Sequence, residues 1–261
     1  MPKSIKIKSS AKINLCLDIL KRLPSGWHEI QTIFYELKSL HDLIEIKETQ
    51  AKDELSTVFN PQKFKNPPTI QQKDNLAYKA LKLLKKNYKI KKFANITIYK
   101  NIPLSSGLGG ASSNAAAVLK GLNKLWKLKL GKKELAALAA KLGSDVPFFI
   151  YGGCALGTHY GEIIQPLKKI NLKLKIIEKS SNNPKKTKSA YQKLNLKNCA
   201  KNLEKTQKLL AAIKSGNKKE ILKNIHNDFE TTQKVPKGFH LSGAGPSLSK
   251  IPSFLSAPSS K

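Results

Sequence analysis

Alternating apolar and polar residues predict two β-strands in the first half of the chain. Residues 13–19 carry leucine or isoleucine at every second position, which puts Lys12 and Asn14 together on the opposite face. A lysine and an asparagine side by side on a strand are most simply explained by exposure to solvent. Residues 94–101 show the same alternation and predict a second half-buried strand.

Apolar residues at helical spacing predict five helices. Asp74 stands where a helix-capping side chain is expected, and Gly143 stands where a left-handed residue would end a helix. The predicted helices span residues 74–84, 115–126, 132–143, 201–214 and 218–229.

Three further segments carry weaker patterns. The apolar run that follows Asp145 predicts a buried strand, at whose start the carboxylate would face a site; an aspartate there is also a common cap or turn former. Residues 172–177 predict a strand. Residues 48–74 are polar and contain prolines, which favours an irregular connection or short edge strands.

The densest run of small residues lies between a predicted strand and a predicted helix. It carries three glycines and four serines. The first amides of a helix lack intrahelical partners and carry partial positive charge, so such a loop suits a phosphate group. It matches neither G-x-x-x-x-G-K-[ST] nor G-x-G-x-x-G, and a simple helix-capping turn is the alternative. The candidate phosphate-binding residues are Pro103, Leu104, Ser105, Ser106, Gly107, Leu108, Gly109, Gly110, Ala111, Ser112 and Ser113.

Composition indicates a globular protein in the cytoplasm. Of 261 residues, 40% are hydrophobic, and no apolar run reaches membrane-spanning length. The first twenty residues interleave charged and apolar side chains, which does not match a signal peptide. Cys16, Cys154 and Cys199 are widely separated, so neither a disulfide framework nor a zinc site is predicted.

The formal charge of +31 raises the possibility of a nucleic-acid partner. Arg22 is the only arginine, although arginine is the side chain best suited to bidentate recognition of bases and phosphates. The lysines are spread along the whole chain. We therefore expect a solvated lysine surface, with no nucleic-acid or membrane partner.

The loop pattern P-x-x-x-G-L-G-x-x-S-S resembles the phosphate loop of the GHMP kinases, which include galactose, homoserine, mevalonate and phosphomevalonate kinases. Four further strings, S-S-A-K-I-N-L-C-L, P-S-G-W-H-E-I-Q-T, G-S-D-V-P-F-F and K-T-K-S-A-Y, resemble the 4-diphosphocytidyl-2-C-methyl-D-erythritol kinase family within that group. The resemblance covers residues 9 to about 245.

The resemblance implies ATP-dependent phosphorylation of the 2-hydroxyl of 4-diphosphocytidyl-2-C-methyl-D-erythritol, with Mg²⁺, in isoprenoid precursor synthesis. It implies that Asp145 is the catalytic base, converging with the loop amides on the transferred phosphoryl group, and that Lys12 neutralises charge there. Ser112 is the candidate metal ligand, and Asn75 lies near the adenosine; Asn75 is otherwise an ordinary helix-start residue. The implied substrate-binding residues are Asn14, Trp27, His28, Thr187 and Tyr191.

The resemblance also implies a two-lobed α+β fold. An ATP-binding lobe is expected over residues 1–165, and a ferredoxin-like substrate lobe over residues 166–245. The glycine turn at Leu241–Gly245 resembles the third GHMP motif, but the Ser/Pro-rich residues 246–261 depart from the family and predict a disordered tail and an abbreviated second lobe. We expect a monomer or weak homodimer. Another GHMP kinase activity, or a non-catalytic basic nucleic-acid-binding relative, stays open.

Overall fold

A computed structural model describes residues 3–181, 183 and 186–251. These residues form a mixed α+β fold. The strands are β1 Ser4–Arg22, β2 His28–Thr49, β3 Glu54–Phe59, β4 Phe93–Lys100, β5 Cys154–Thr158, β6 Ile163–Pro166, β7 Lys175–Ile177, β8 His226–Asn227, β9 Phe239–Leu241 and β10 Leu248–Lys250. The α-helices are α1 Leu76–Tyr88, α2 Gly110–Leu125, α3 Lys132–Ala140, α4 Val146–Tyr151, α5 Lys186–Gln192, α6 Leu203–Ser215 and α7 Lys218–Lys223.

The chain contributes to two compact units, and neither unit is continuous in sequence. Unit 1 contains the described chain up to Ala11, together with Glu36–Pro103 and Gly109–Gly152. Unit 2 contains Lys12–Tyr35, Leu104–Leu108 and the described chain from Gly153 onward. The long strands β1 and β2, and the glycine-serine loop, therefore have residues in both units.

In unit 1, β4 pairs antiparallel with β2 and parallel with the edge strand β3. Helices α1 and α2 pack together, and α4 contacts both α2 and α3. Gly121 of α2 meets the sheet: a Cβ there would lie 2.5 Å from the side chain of Ile46 in β2. The absence of a side chain at Gly121 is thus what lets the helix approach the strand this closely.

In unit 2, β5 pairs antiparallel with both β2 and β6, and β8 pairs parallel with β1. A separate antiparallel sheet has the order β7-β10-β9. An apolar cluster that includes Leu17, Ile19, Phe229, Leu241 and Leu248 forms the core beside these strands.

The long alternating segments are predicted correctly. The strand around residues 13–19 lies within β1, residues 94–101 coincide with β4 apart from the last residue, and the helix after the loop is α2. The expected solvent exposure of Lys12 and Asn14 is wrong, because residues 11–19 are buried on both faces of β1. Alternation identifies the strand but does not reveal that polar side chains also lie inside.

The residues predicted to cap two of the helices are wrong. Asn75, not Asp74, caps α1: its side-chain oxygen accepts a hydrogen bond from the amide of Ala77 at 3.0 Å. Helix α3 ends at Ala140, and no left-handed residue terminates it. Instead, Gly143 closes a tapering turn in which its amide donates to the carbonyl of Ala139.

The segment after Asp145 is the short buried helix α4, not a strand. A brief apolar run does not distinguish the two, and Pro147 fits the first turn of a helix. The predicted helix 218–229 stops at Lys223, where the Asn224 side chain donates to the Glu220 carbonyl at 2.7 Å. Residues His226–Asn227 then form the short strand β8.

The predicted disorder from Pro246 onward is wrong for its first residues. Leu248–Lys250 forms β10, the central strand of the small sheet, with Leu248 paired to both Ile177 and Leu241. Pairing on both sides outweighs the unfavourable local composition. The rest of that prediction, residues 252–261, lies outside the described residues. None of the described helices is long and apolar enough to cross a bilayer.

Candidate functional site

The second half of the glycine-serine loop starts helix α2 in unit 1. Gly109 occupies the N-cap position with φ 71°, and a glycine has no side chain with which to cap the first-turn amides. Ser113 is buried, with its hydroxyl hydrogen-bonded to that of Ser9 at 2.7 Å. Ser112 is only half-buried and makes no side-chain hydrogen bond within the described chain. This end of the loop therefore presents backbone amides and one hydroxyl.

The first half of the loop belongs to unit 2, where its carbonyl groups are held by neighbouring segments. The oxygen of Leu104 accepts from the amide of Ser181 at 3.2 Å, and that of Leu108 accepts from the amide of Lys12 at 2.9 Å. Ser106 is buried, and its oxygen accepts from the amide of Ser247 at 3.1 Å. With its carbonyls engaged in this way, the loop is fixed on its scaffold before any ligand binds.

Gly107 makes the closest approach in this part of the loop. It has φ 81°, and a Cβ at this position would lie 2.0 Å from the carbonyl oxygen of Ser242. The Ser242 hydroxyl donates to the carbonyl of Gly107 at 2.9 Å. The glycine turn resembling the third motif is thus packed directly on the loop, within unit 2.

Lys12 is buried in unit 2 at 3% exposure. Its amino group donates to Asn14 Oδ1 at 2.8 Å, and Asn14 Nδ2 donates to the Thr32 hydroxyl at 2.7 Å. A Cβ on Gly243 would lie 3.3 Å from Lys12 Nζ, so the glycine turn leaves room beside this cation. A buried ammonium held among polar atoms suits stabilisation of an anion.

Asp145 stands immediately before α4 in unit 1, the unit that also contains Gly109–Ser113. The residue is half-buried, and its side chain does not cap the helix. A purely structural capping role therefore does not account for Asp145.

Asn75 is committed to capping α1 through its side-chain oxygen, which leaves its amide hydrogens for other partners. Elsewhere in unit 1, an open cavity of about 360 Å³ lies beside β4. Its lining includes Val58, Phe59, Pro61 and Tyr99. The lining also includes His41, Asn60, Lys100 and Asn101, so the cavity offers both apolar surface and polar groups to a flat ring.

Three of the expected substrate residues, Trp27, His28 and Tyr191, make ring contacts in unit 2. Trp27, at the tip of the turn before β2, contacts the ring of Tyr160. His28 stacks on Tyr191 with ring centroids 4.8 Å apart and a 25° interplanar angle. Burial, and secondarily the charge of Arg22, lowers the pKa of His28, which favours the neutral imidazole. Thr187 is exposed on α5, the helix that carries Tyr191.

Sequence reasoning missed a buried ion pair at the entrance of the loop. Lys100 Nζ lies 2.6 Å from Asp42 Oδ2, while Asp42 Oδ1 accepts from the amides of Asn101 and Ile102 at 2.6 and 2.7 Å. Burial lowers the pKa of Lys100, and the adjacent carboxylate opposes that effect. The position of Lys100 just before the loop could have indicated a charged site. Its partner Asp42, however, is 58 residues away in sequence.

Sequence reasoning also missed a second buried cluster, whose polar groups are hydrogen-bonded to one another within the protein. Asp18 Oδ1 lies 2.9 Å from His226 Nε2, and Asp18 Oδ2 accepts from the Thr206 hydroxyl at 2.5 Å. Cys16 lies beside them, and burial together with Asp18 raises the pKa of its thiol to about 12. A metal would need a thiolate there, and both histidine nitrogens are already hydrogen-bonded. These residues do not fit a metal centre.

Comparison with known proteins identifies a domain family. Residues 75–153 match the family model described as the GHMP kinases N terminal domain. The "4-diphosphocytidyl-2-C-methyl-D-erythritol kinase" of Geobacillus kaustophilus is 47% identical over 163 residues, which are 62% of this chain and 54% of the relative. That of Alkaliphilus metalliredigens is 45% identical over 166 residues, 64% of this chain and 55% of the relative. The matches thus span about half the length of these relatives.

Solved structures resemble the chain over nearly its whole length. A crystal structure of "4-(cytidine 5'-diphospho)-2C-methyl-D-erythritol kinase" has a TM-score of 0.71 at 25% identity, covering 95% of this chain and 90% of the other. Homoserine kinase from Cytophaga hutchinsonii has a TM-score of 0.69 at 17% identity, covering 96% and 85%, and shares the fold. The domain match thus assigns residues 75–153 to the GHMP kinases N terminal domain, and the chain shares the fold of these two solved kinases.

Proposed function

We propose that this chain is an ATP-dependent kinase that phosphorylates the 2-hydroxyl of 4-diphosphocytidyl-2-C-methyl-D-erythritol, a step in isoprenoid precursor synthesis. The observation that carries the proposal is the loop of residues 103–113. It has two glycines with positive φ, carbonyls engaged by the scaffold and uncapped amides at the start of α2. Such amides are donors for phosphate oxygens.

Phosphoryl transfer depends chiefly on positioning and on stabilising negative charge. In this proposal Lys12 neutralises charge on the transferred phosphoryl group, because its ammonium is buried and oriented by Asn14. Asp145 accepts the proton of the attacking hydroxyl, because it directly precedes α4 in the same unit as Gly109–Ser113.

A Mg²⁺ ion bound with ATP takes oxygen ligands and would supply charge neutralisation at the phosphates. Ser112 fits this ion, because its hydroxyl lies on the exposed side of the first turn of α2 whereas Ser113 is turned inward. The adenosine would occupy the cavity lined by Val58, Phe59 and Tyr99. Asn75 would contribute its side-chain amide hydrogens to the nucleotide.

The acceptor would bind to unit 2 through its cytosine. Trp27 and Tyr191 supply aromatic faces, and neutral His28 supplies an edge that both donates and accepts hydrogen bonds. Asn14 and Thr187 complete the proposed substrate set. We further propose that the protein is a cytoplasmic monomer or weak homodimer.

A coupled ADP-release assay tests the proposal, with the cytidine substrate compared against homoserine, mevalonate and phosphomevalonate. We expect turnover that requires the cytidine compound. Turnover of another alcohol instead would assign a different GHMP kinase activity. ATP-independent, salt-sensitive RNA binding without turnover would favour a non-catalytic nucleic-acid-binding protein.

Two variants test the assigned roles. Asp145→Ala and Lys12→Ala should each lower kcat by about 10²- to 10⁴-fold with little loss of fold. Lys8→Ala is the matched control, because Lys8 lies on the same strand as Lys12 but is exposed. Wild-type turnover by Asp145→Ala would refute the catalytic-base assignment.

A further inference from the structure

Exposed Trp27 and half-buried Tyr160 form an aromatic pair in unit 2, and Tyr160 is a residue that the kinase motifs do not account for. The rings of Trp27 and Tyr160 have centroids 5.3 Å apart and an interplanar angle of 45°. Trp27 nevertheless remains 59% exposed. The tilted geometry brings the rings together without covering the indole, so a large apolar surface stays open beside Tyr160.

The turn that carries Tyr160 is tightly held. The amide of Ile30 donates to the carbonyl of His159 at 2.7 Å, tying this turn to the start of β2. The amide of Tyr160 donates to Glu162 Oε2 at 2.8 Å, and His159 adopts φ 63°, an unfavourable conformation for a residue with a side chain. Hydrogen bonds therefore fix the position from which the Tyr160 ring supports Trp27.

Trp27 is also anchored through its backbone. Its carbonyl accepts from the amide of Leu23 at 2.7 Å, and Gly26 supplies the positive φ of the turn. A pre-oriented indole loses little conformational freedom when a ligand stacks on it. Neutral aromatic rings suit an uncharged planar base rather than a phosphate.

We propose that Tyr160 is a further substrate-positioning residue, which together with Trp27 forms the aromatic surface that receives the pyrimidine base of the acceptor. This inference rests on the proposed function. It adds the β5–β6 turn to the base site, which the sequence motifs place only on the β1–β2 turn and on α5. Tyr160 acts by fixing the indole and by extending the surface that the base contacts.

Fluorescence measures base binding independently of turnover. The chain has two tryptophans, so Trp126→Phe leaves Trp27 as the single indole reporter. Trp126 is buried and its Nε1 has no hydrogen-bond partner among the described residues, so phenylalanine removes no hydrogen bond. The probe is cytidine 5'-diphosphate, and ribose 5-phosphate is the control ligand without a base.

In the Trp126→Phe variant, Tyr160→Leu should raise the Kd for cytidine 5'-diphosphate by about five- to tenfold. In the enzyme assay it should raise KM for the cytidine substrate by a similar factor, with kcat within about twofold. Tyr160→Phe should retain wild-type values, because the ring and not the hydroxyl is required. Tyr88→Leu is the matched control, since Tyr88 is an exposed tyrosine at the end of α1 in unit 1.

Unchanged KM and unchanged quenching in Tyr160→Leu would overturn this inference while leaving the kinase activity intact. A fall in kcat and thermal stability that Tyr160→Phe does not rescue would also overturn it, in favour of a structural role. Tyr160-dependent quenching without turnover by the wild type would support the base site and refute the proposed kinase activity. Absence of quenching in the wild type would overturn the base site itself.

Discussion

The contact between Gly107 and the carbonyl of Ser242 makes a quantitative prediction for Gly107→Ala. An alanine at φ 81° costs about 1–2 kcal/mol in backbone strain alone. Its Cβ would also lie 2.0 Å from the Ser242 oxygen, so that oxygen must retreat by about 1.4 Å to reach ordinary contact.

That retreat weakens two hydrogen bonds, each contributing about 1 kcal/mol. The Ser242 hydroxyl donates to the Gly107 carbonyl, and the Gly245 amide donates to the Ser242 carbonyl, both at 2.9 Å. The total loss in free energy of unfolding is then about 3–4 kcal/mol, or a fall in Tm of roughly 6–16 °C for a chain of this size.

Gly238→Ala separates strain from steric conflict. Gly238 has φ 79°, but nothing lies within 4 Å of a Cβ placed there. It should lose only the strain of about 1–2 kcal/mol, or roughly 2–8 °C in Tm. Differential scanning calorimetry compares the two variants, and an ADP-release assay reports whether KM for ATP rises in Gly107→Ala alone. Equal Tm values for the two variants, with KM unchanged, would refute the reasoning.

Two further predictions concern buried polar groups. Burial lowers the pKa of His226, but the hydrogen bonds with Asp18 and the Asn224 carbonyl outweigh that effect and raise the pKa above the ordinary value for histidine. The stabilisation from protonated His226 is therefore present below about pH 6.5 and is lost as the pH rises through the raised pKa. Urea unfolding at about pH 5.5 and 8.5 should therefore show a steeper loss of stability in the wild type than in Asp18→Asn; equal slopes would contradict this. Asp42→Asn should leave Lys100 buried without its counter-ion and cost about 3–5 kcal/mol in urea unfolding, and a loss below 1 kcal/mol would contradict the ion pair.

Loss of a helix cap gives the last prediction. Asn75→Ala removes the side-chain oxygen that accepts from the amide of Ala77, and should cost about 1 kcal/mol in the same urea assay. Asp74→Ala is the matched control, because Asp74 is exposed and lies outside α1. A larger loss for Asp74→Ala than for Asn75→Ala would contradict the assignment of the cap.

The segments that could be predicted are those whose pattern is long and local. The loop and α2 follow from glycines, serines and a sustained helical period, and β4 follows from clean alternation. The run after Asp145 is too short to separate helix from strand. The pairing of Leu248 with residues from two other segments has no local signal at all.

The candidate site was predictable only as far as motif resemblance reached. Lys12 and Asp145 are recognised through their strings, but the burial of Lys12 depends on neighbours distant in sequence. The partner of Lys100 is likewise remote, and only the fold brings Asp42 to it. Tyr160 belongs to no recognised string, and its proximity to Trp27 becomes visible only when β2 and β5 are paired.

The interleaving of the two compact units has a practical consequence for dissecting this protein. Because the chain passes back and forth between them, no single cut yields a fragment that contains either unit whole. An expressed N-terminal or C-terminal fragment would separate β1 and β2 from the strands later in the chain that pair with them. Separating the proposed nucleotide site from the proposed acceptor site will therefore require point substitutions rather than truncation.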